Sequence, residues 1–254
     1  RFYEIDILDS QKVDQVVGNI KPDIIIHLAA IHFIPYCNEH PYESANINIA
    51  GTINVLNAAE KHKVQKLFFA STAAVYPIYD EAVSETNATG PLDIYGLSKL
   101  TGEHLCNEFH LRSGITTIVC RFFNAFGPNE TNPHLIPEIQ KQVLGGNRVI
   151  NLGNLTPKRD FIHTYDMASA VETLLKNVNS GIDTFNLGRG IEYAVTEIVD
   201  SFSNALGDPI EIKVDQARVR KVERMHLLAD VSKLKSLGWE PKIGIDEGIK
   251  TLVE

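Results

Sequence analysis

The chain has 254 residues, of which 44% are hydrophobic and 22% charged, and a formal net charge of -8. That length and balance suit an ordinary globular protein with one sizeable core or two unequal lobes, and no apolar stretch approaches the roughly 20 residues of a membrane span. We expect no membrane association and no secretory signal, no nucleic-acid partner for an acidic chain without a basic stripe, and a cytoplasmic location, because Cys37, Cys106 and Cys120 have no paired or metal-type spacing.

In chain order, "FYEIDI" predicts a first strand, and "SQKVDQVVGNI" a helix that opens on a capping serine and carries Val13, Val16, Val17 and Ile20 on one face. "DIIIHLAA" is too short and too β-branched for a helix and predicts a buried strand. A long helix over 41–62 follows, with Pro41 in its first turn. "KLFFAST" predicts a strand, "DIYGLSKLTGEHLCNEFHLRS" a helix and "ITTIVCRFF" a strand, so four strands precede residue 125. Alternating strands and helices of this kind build a parallel sheet with right-handed crossovers. Beyond Asn124 the texture becomes Pro- and Gly-punctuated, with helices at "PHLIPEIQKQVLGG", "TEIVDSFSNAL", "VSKLKSLG" and "IDEGIKTLV" and strands at "RVINLG", "DTFNLG" and "IEIKV". The segment "LTPKRDFIHTYDMASAVETLLKN" is expected to run through a loop into a helix.

Tyr95 and Lys99 in "IYGLSK" are four residues apart and therefore share a helix face, and the hydroxyl pair Ser71 and Thr72 ends the preceding apolar strand. At a separation of ~4 Å and an effective dielectric of about 20, an ammonium attracts a phenolate by on the order of 4 kcal/mol, and one pKa unit is about 1.4 kcal/mol. Lys99 is thus expected to bring the Tyr95 phenol toward use as a base near neutral pH. Taken alone, such a pair is more often a surface contact. Strand alternation sends Ser71 and Thr72 to opposite faces, so one of the two hydroxyls is expected to be structural.

A dinucleotide fold places a glycine fingerprint between its first strand and first helix. Neither G-x-x-G-x-x-G nor G-x-G-x-x-G occurs here, and Gly188 and Gly190 in "NLGRGIEY" predict only a turn. The segments "DIIIHLAA", "NIAGTINVLNAA", "FASTAAVY", "YGLSK", "RFFNAFGP", "KRDFIHTYDMA", "FNLGRG" and "LLADVSKLKSLGWEP" nevertheless appear in one order from end to end. Together they resemble the extended short-chain dehydrogenase/reductase family, in its nucleotide-sugar epimerase/dehydratase branch, entered after the first strand, helix and second strand. The resemblance implies an α/β fold with a Rossmann-like parallel sheet lacking its first β-α-β unit and a smaller mixed α/β substrate lobe. The expected division is 1–124 with 159–188 for the cofactor domain, and 125–158 with 189–254 for the substrate domain.

It also implies bound NAD and roles for individual residues. Thr72, Tyr95 and Lys99 would be catalytic. Asp6, Ile7, Leu28, Ala29, Ala30, His32, Asn48, Ser71 and Phe122 would join Tyr95 and Lys99 in holding the cofactor. Asn124, His134, Leu135, Leu152, Arg159, Arg220 and Glu223 would bind a nucleotide-diphosphate sugar. Leu152 stands where an aromatic often meets the base, which leaves the nucleotide open. No metal is expected, and a homodimer is. Two alanines, Ala73 and Ala74, follow Thr72 where a 4,6-dehydratase carries Asp-Glu, which favours epimerisation over dehydration. The alternative of another class is a noncatalytic nucleotide-binding relative, against which the intact trio counts.

Overall fold

Three apolar runs, Ile24–His27 (β1), Lys66–Thr72 (β2) and Thr116–Phe122 (β3), form a parallel ladder in the computed structural model, which describes residues 1–130, 132–219 and 224–254. Ile182–Leu187 (β7) lies beside β3, so the sheet order is β1-β2-β3-β7. The chain divides into two compact units, one of 1–77, 85–122 and 173–186, the other of 78–84, 123–172 and 187–254. The expected return to the first lobe at residue 159 therefore occurs at Thr173 instead.

In the first unit, the helix Ser10–Ile20 (α1) is capped by the Asp9 carboxylate, which accepts from the Lys12 amide at 3.0 Å; the cap expected at Ser10 lies one residue earlier. Residues 1–6 form no strand, and β1, expected to be fully buried, has neighbours on one side only. Its Ile24 and Ile26 are 39% and 45% exposed, and a cavity of about 320 Å³ opens between them and Ile5, Ile7 and Val17. After a short helix at Ile34–Glu39 (α2), the helix expected over 41–62 appears as Pro41–Ala45 (α3), a π-turn at Asn46–Ala50 and Gly51–Lys61 (α4). A π-turn adds a residue to the helix circumference and is frequent where a side chain is re-aimed for function. Here it turns Asn48 inward, where it is buried.

The helix Ile94–Ser113 (α5) starts at Asp93, whose carboxylate accepts from the Gly96 amide at 2.7 Å, and ends at Gly114 in the left-handed conformation. It packs on β2 and β3 through Ser98, Lys99, Gly102, Glu103, Cys106 and Phe109. The core of this unit joins Val13, Leu56, Leu67, Phe69, Cys106, Phe109 and Val119.

The second unit holds two small sheets. Asn124–Phe126 (β4) pairs in parallel with Lys158–His163 (β6), and β6 pairs antiparallel with Glu192–Ala194 (β8), while Val149–Leu152 (β5) pairs with Glu211–Val214 (β9). Segment 158–163, expected as a loop, is a strand because it lies between β4 and β8 and has ladder partners on both sides, with 160–163 all buried. Asp160 anchors it, accepting from the Arg189, Gly190 and Ala229 amides, and Gly190 takes the turn with φ of 79°. The helices Leu135–Leu144 (α6), Val195–Leu206 (α8) and Ile245–Val253 (α10) enclose a core around Phe126, Ile139, Ile150, Phe161, Phe202 and Ile249. Thr164–Asn177 (α7) leads from β6 toward β7, and Ser232–Lys235 (α9) is a single turn. No described helix is long and apolar enough to cross a membrane.

Two positions on one helix calibrate this core. Phe109→Ala, at a fully buried side chain, is expected to cost roughly 3–5 kcal/mol in urea unfolding, whereas Leu111→Ala, at a side chain 76% exposed, should stay within about 0.5 kcal/mol of the parent.

Candidate active site

The register of the ladder sorts the two hydroxyls. Ser71 lies opposite Arg121 and Thr72 opposite Phe122, so alternation puts the first pair on one face of the sheet and the second pair on the other. Ser71 donates to the Glu103 carboxylate of α5 and is thereby a structural hydroxyl, not the cofactor contact expected of it. Thr72 caps the 3-10 turn Ala73–Val75, accepting from the Ala74 amide at 3.2 Å, and its hydroxyl acts on the Tyr95 phenol in the direction that favours the phenolate.

Tyr95 reaches Thr72 because the next residue is Gly96. A Cβ on Gly96 would stand 2.4 Å from the Ala74 carbonyl oxygen, so a larger residue would push the first turn of α5 away from the strand end. Six residues further along α5, a Cβ on Gly102 would meet the Phe69 ring at 2.4 Å. That close approach brings the Phe69 ring under the Lys99 ammonium, which sits 4.3 Å from its centroid.

Burial pushes the Tyr95 phenol up to about 12, and the neighbouring Thr72 hydroxyl offsets only part of that rise. Burial likewise pulls Lys99 down to about 8, against the opposing pull of Cys106 and Glu103. The expectation that Lys99 lowers the Tyr95 pKa is therefore not met in the protein alone: the ammonium lies over Phe69, and desolvation dominates both groups. Among the described residues, Lys99 makes no hydrogen bond although it is only 3% exposed, so it keeps unused donors in a buried setting.

The loop after β1 carries Leu28 and Ala29, both exposed, with Ala30 half-buried and His32 exposed. Asn48 holds this loop from beneath. Its side-chain oxygen accepts from the Ile31 amide at 2.8 Å, and its amide nitrogen donates to the Ile31 carbonyl at 2.9 Å and the Ser98 hydroxyl at 3.0 Å. Ser98 in turn donates to the Tyr95 carbonyl at 2.8 Å, which ties the loop to the tyrosine. Asn48 thus works through the loop rather than on its surface. Asp6 is exposed and accepts from the Leu8 amide, Ile7 packs where Gly51 leaves room for it, and Phe122 tilts against Phe68 at 6.1 Å.

Within the second unit, Asn124 starts β4 and contacts the Asp160 carbonyl, and His134 caps α6 and pairs with Glu130, with Leu135 as the first helical residue. Arg159 donates to the Lys158 and Arg224 carbonyls from β6. Leu152, expected against a nucleotide base, is instead packed in the core beside Ile150, because the β5 alternation turns it inward. Arg220 and Glu223 lie outside the described residues. No cluster of metal ligands occurs among the described residues.

One buried constellation escaped the sequence reading. Arg121 forks onto Glu103, with Nε at 2.9 Å from Oε1 and Nη2 at 2.7 Å from Oε2, and its Nη1 donates to the Tyr76 hydroxyl at 2.8 Å. Tyr76 donates to Asn186 at 2.8 Å. The available signal was Glu103 standing four residues after Lys99, on the same helix stripe.

Comparison with known proteins gives the family. The model described as GDP-mannose 4,6 dehydratase matches residues 1–252. The chain belongs to this family of short-chain-dehydrogenase-type nucleotide-sugar epimerases and dehydratases. It is 31% identical to UDP-glucose 4-epimerase of Bacillus subtilis over 97% of this chain and 78% of the relative, and 33% identical to that of Halalkalibacterium halodurans over 100% and 80%. Among solved structures it is similar to UDP-glucose 4-epimerase of Bifidobacterium longum in complex with NAD+ and UDP, with a TM-score of 0.90 and 27% identity over 99% of this chain and 81% of that one. It is also similar to RMD of Pseudomonas aeruginosa complexed with NADPH, with a TM-score of 0.92 and 25% identity over 99% and 86%. These likenesses agree with the Rossmann-like α/β fold.

The Tyr95 environment predicts a pH effect on stability. The folded chain keeps the phenol proton up to about 12 whereas an ordinary phenol releases it at 10.0, so the native state binds more protons between those values and loses stability as pH rises through them. Denaturant unfolding of the parent should weaken across that window relative to Tyr95→Phe, and parallel curves for the two would contradict the burial argument.

Proposed function

We propose that the protein epimerises a nucleotide-diphosphate sugar with NAD as its bound cofactor, a UDP-hexose inverted at C4 being the substrate. The observation that carries this reading is Thr72 at the end of β2, acting on the Tyr95 phenol of α5, with the buried Lys99 one helical turn after the tyrosine. The unused donors of Lys99 fit the hydroxyls of a nucleotide ribose, and the small residues of the loop after β1 leave backbone open to a close ligand. When bound, NAD supplies hydride acceptance and return.

The residues of this chain handle the proton and the orientation. Tyr95 takes the proton from the sugar hydroxyl and returns it after the keto sugar has presented its other face. Thr72 donates to the substrate oxygen and keeps the phenol aimed. Lys99 holds the ribose and offsets the charge of the phenolate. Asp6, Ile7, Leu28, Ala29, Ala30, His32 and Phe122 hold the cofactor, with Asn48 bracing their loop. Asn124, His134, Leu135 and Arg159 hold the sugar nucleotide together with Arg220 and Glu223, since a guanidinium suits paired phosphate oxygens. Ala73 and Ala74 supply no acid or base for expelling water, which supports epimerisation over dehydration.

The likeness to a protein complexed with NADPH supports a second reading, a sugar-nucleotide reductase. Net consumption of reduced coenzyme during turnover would favour it, whereas epimerisation consumes none.

A homodimer fits the exposed apolar side chains Tyr42, Ile53 and Leu97 on the 41–61 helical run and α5, which a second copy would cover as a four-helix interface. The three cysteines are free and buried, which suits a reducing cytoplasm. Light scattering of the full-length protein should give twice the monomer mass, and Leu97→Glu should reduce it to the monomer.

In the full-length protein, Tyr95→Phe is expected to lower conversion of UDP-glucose to UDP-galactose by about 10²–10⁴-fold while nucleotide binding, followed by calorimetry, stays near the parent value. Turnover within tenfold of the parent would remove Tyr95 from its assigned role.

A further inference from the structure

Phe69 stands in the middle of the first ladder, opposite His27 of β1 and Val119 of β3, and its side chain is fully buried against α5. Two contacts fix its ring. The far end lies against Gly102, where a Cβ would come within 2.4 Å of Cζ and 3.1 and 3.2 Å of the two Cε atoms. The face is turned to Lys99, three residues earlier on the same stripe of α5, whose Nζ stands 4.3 Å from the ring centroid. The glycine therefore serves a side chain rather than a turn, because it admits the ring far enough to lie beneath the lysine.

Little else holds the ammonium. Among the described residues Lys99 makes no hydrogen bond and no ion pair, although it is buried. His27, whose ring tilts against Phe69 at 5.8 Å, is neutral. The Thr52 hydroxyl gives its proton to the Asn48 carbonyl at 2.6 Å, so His27 Nε2 must donate to Thr52 at 3.0 Å, and burial pulls the imidazole down to about 4. On α5, burial pushes the Cys106 thiol and the Tyr95 phenol each up to about 12, so both are uncharged where a lysine titrates. Glu103 of the same helix is forked by Arg121 and receives the Ser71 hydroxyl, so its charge is already matched. An ammonium with no counter-ion of its own needs a partner that is electron-rich without being charged. The face of an aromatic ring is such a partner, and it is worth more in a desolvated pocket than at a surface.

We propose that Phe69 is a positioning residue of this site: lodged against Gly102, its ring face is the seat that holds Lys99 in place as an ammonium, in the role a carboxylate would otherwise fill. The proposal deepens the epimerase reading and rests on it for its catalytic meaning, because a lysine held by a ring keeps its N–H donors for a ribose and its charge for a phenolate. The contact between ring and lysine belongs to the protein whatever its substrate.

The test keeps the shape of the ring and changes only the charge of its face. Phenylalanine with one or two fluorine atoms at the meta positions is placed at residue 69 of the full-length protein, and Lys99 is titrated by NMR on lysine labelled with ¹³C at Cε, its signal assigned by its absence in Lys99→Met. Fluorine draws electron density from the ring face and so disfavours the ammonium. The Lys99 pKa should fall stepwise, by about half a unit with two fluorines. In turnover, the limb on which activity falls as Lys99 loses its proton should move to lower pH by the same amount. A Lys99 titration that is the same with no, one and two fluorines overturns the proposal, since a ring that merely fills space is indifferent to them. Absence of turnover in the parent would instead remove the epimerase reading, and the lysine titration would still decide this one.

Discussion

Helix α5 lies on the sheet through a stripe that includes a lysine and a glutamate, and the arrangement depends on the Arg121 fork onto Glu103. Taking a carboxylate and a guanidinium out of water costs several kcal/mol per ion, offset only when the geometry is good and the remaining polar atoms are partnered. Both conditions hold here: Ser71 and Tyr76 complete the donors and acceptors, and Asn186 completes Tyr76. The same pair fixes the distance and rotation of α5 relative to β2 and β3, and so sets where Tyr95 and Lys99 stand relative to Thr72.

The proton chemistry of the site follows from that burial. Desolvation favours the neutral form of each group, raising the phenol and lowering the ammonium, so neither is pre-charged by its neighbour in the protein alone. A buried site of this kind answers strongly to added charge, because the effective dielectric is low. An oxidised nicotinamide brings positive charge, which pushes a nearby phenol toward its anion.

Much of this was legible before the fold was known. The apolar runs of β2 and β3, the helix over "DIYGLSKLTGEHLCNEFHLRS" and the i to i+4 spacing of Tyr95 and Lys99 are local signals, and local signals survive into the structure. What failed was nonlocal. Residues 1–6 have strand composition but no ladder partner among the described residues, and 158–163, expected as a loop, is a strand whose buried Asp160 finds its three amide donors 29 to 69 residues away. Alternation required Ser71 and Thr72 to diverge, but only Glu103 and Arg121 show which one turns inward to the network. Leu152 was carried over from a family pattern and is core here, since strand β5 alternates into the space between its sheet and the surrounding helices. Asn48 was placed beside the right loop, but its role as a brace depends on a π-turn that no propensity signals.

The central claim, a redox-neutral inversion at one carbon of a nucleotide sugar, is tested most directly by following deuterium placed on C4 of UDP-glucose through turnover by the full-length protein. The account predicts UDP-galactose that keeps the deuterium at C4, with no net change in coenzyme. Loss of the label to solvent, or its permanent transfer to coenzyme, would contradict it.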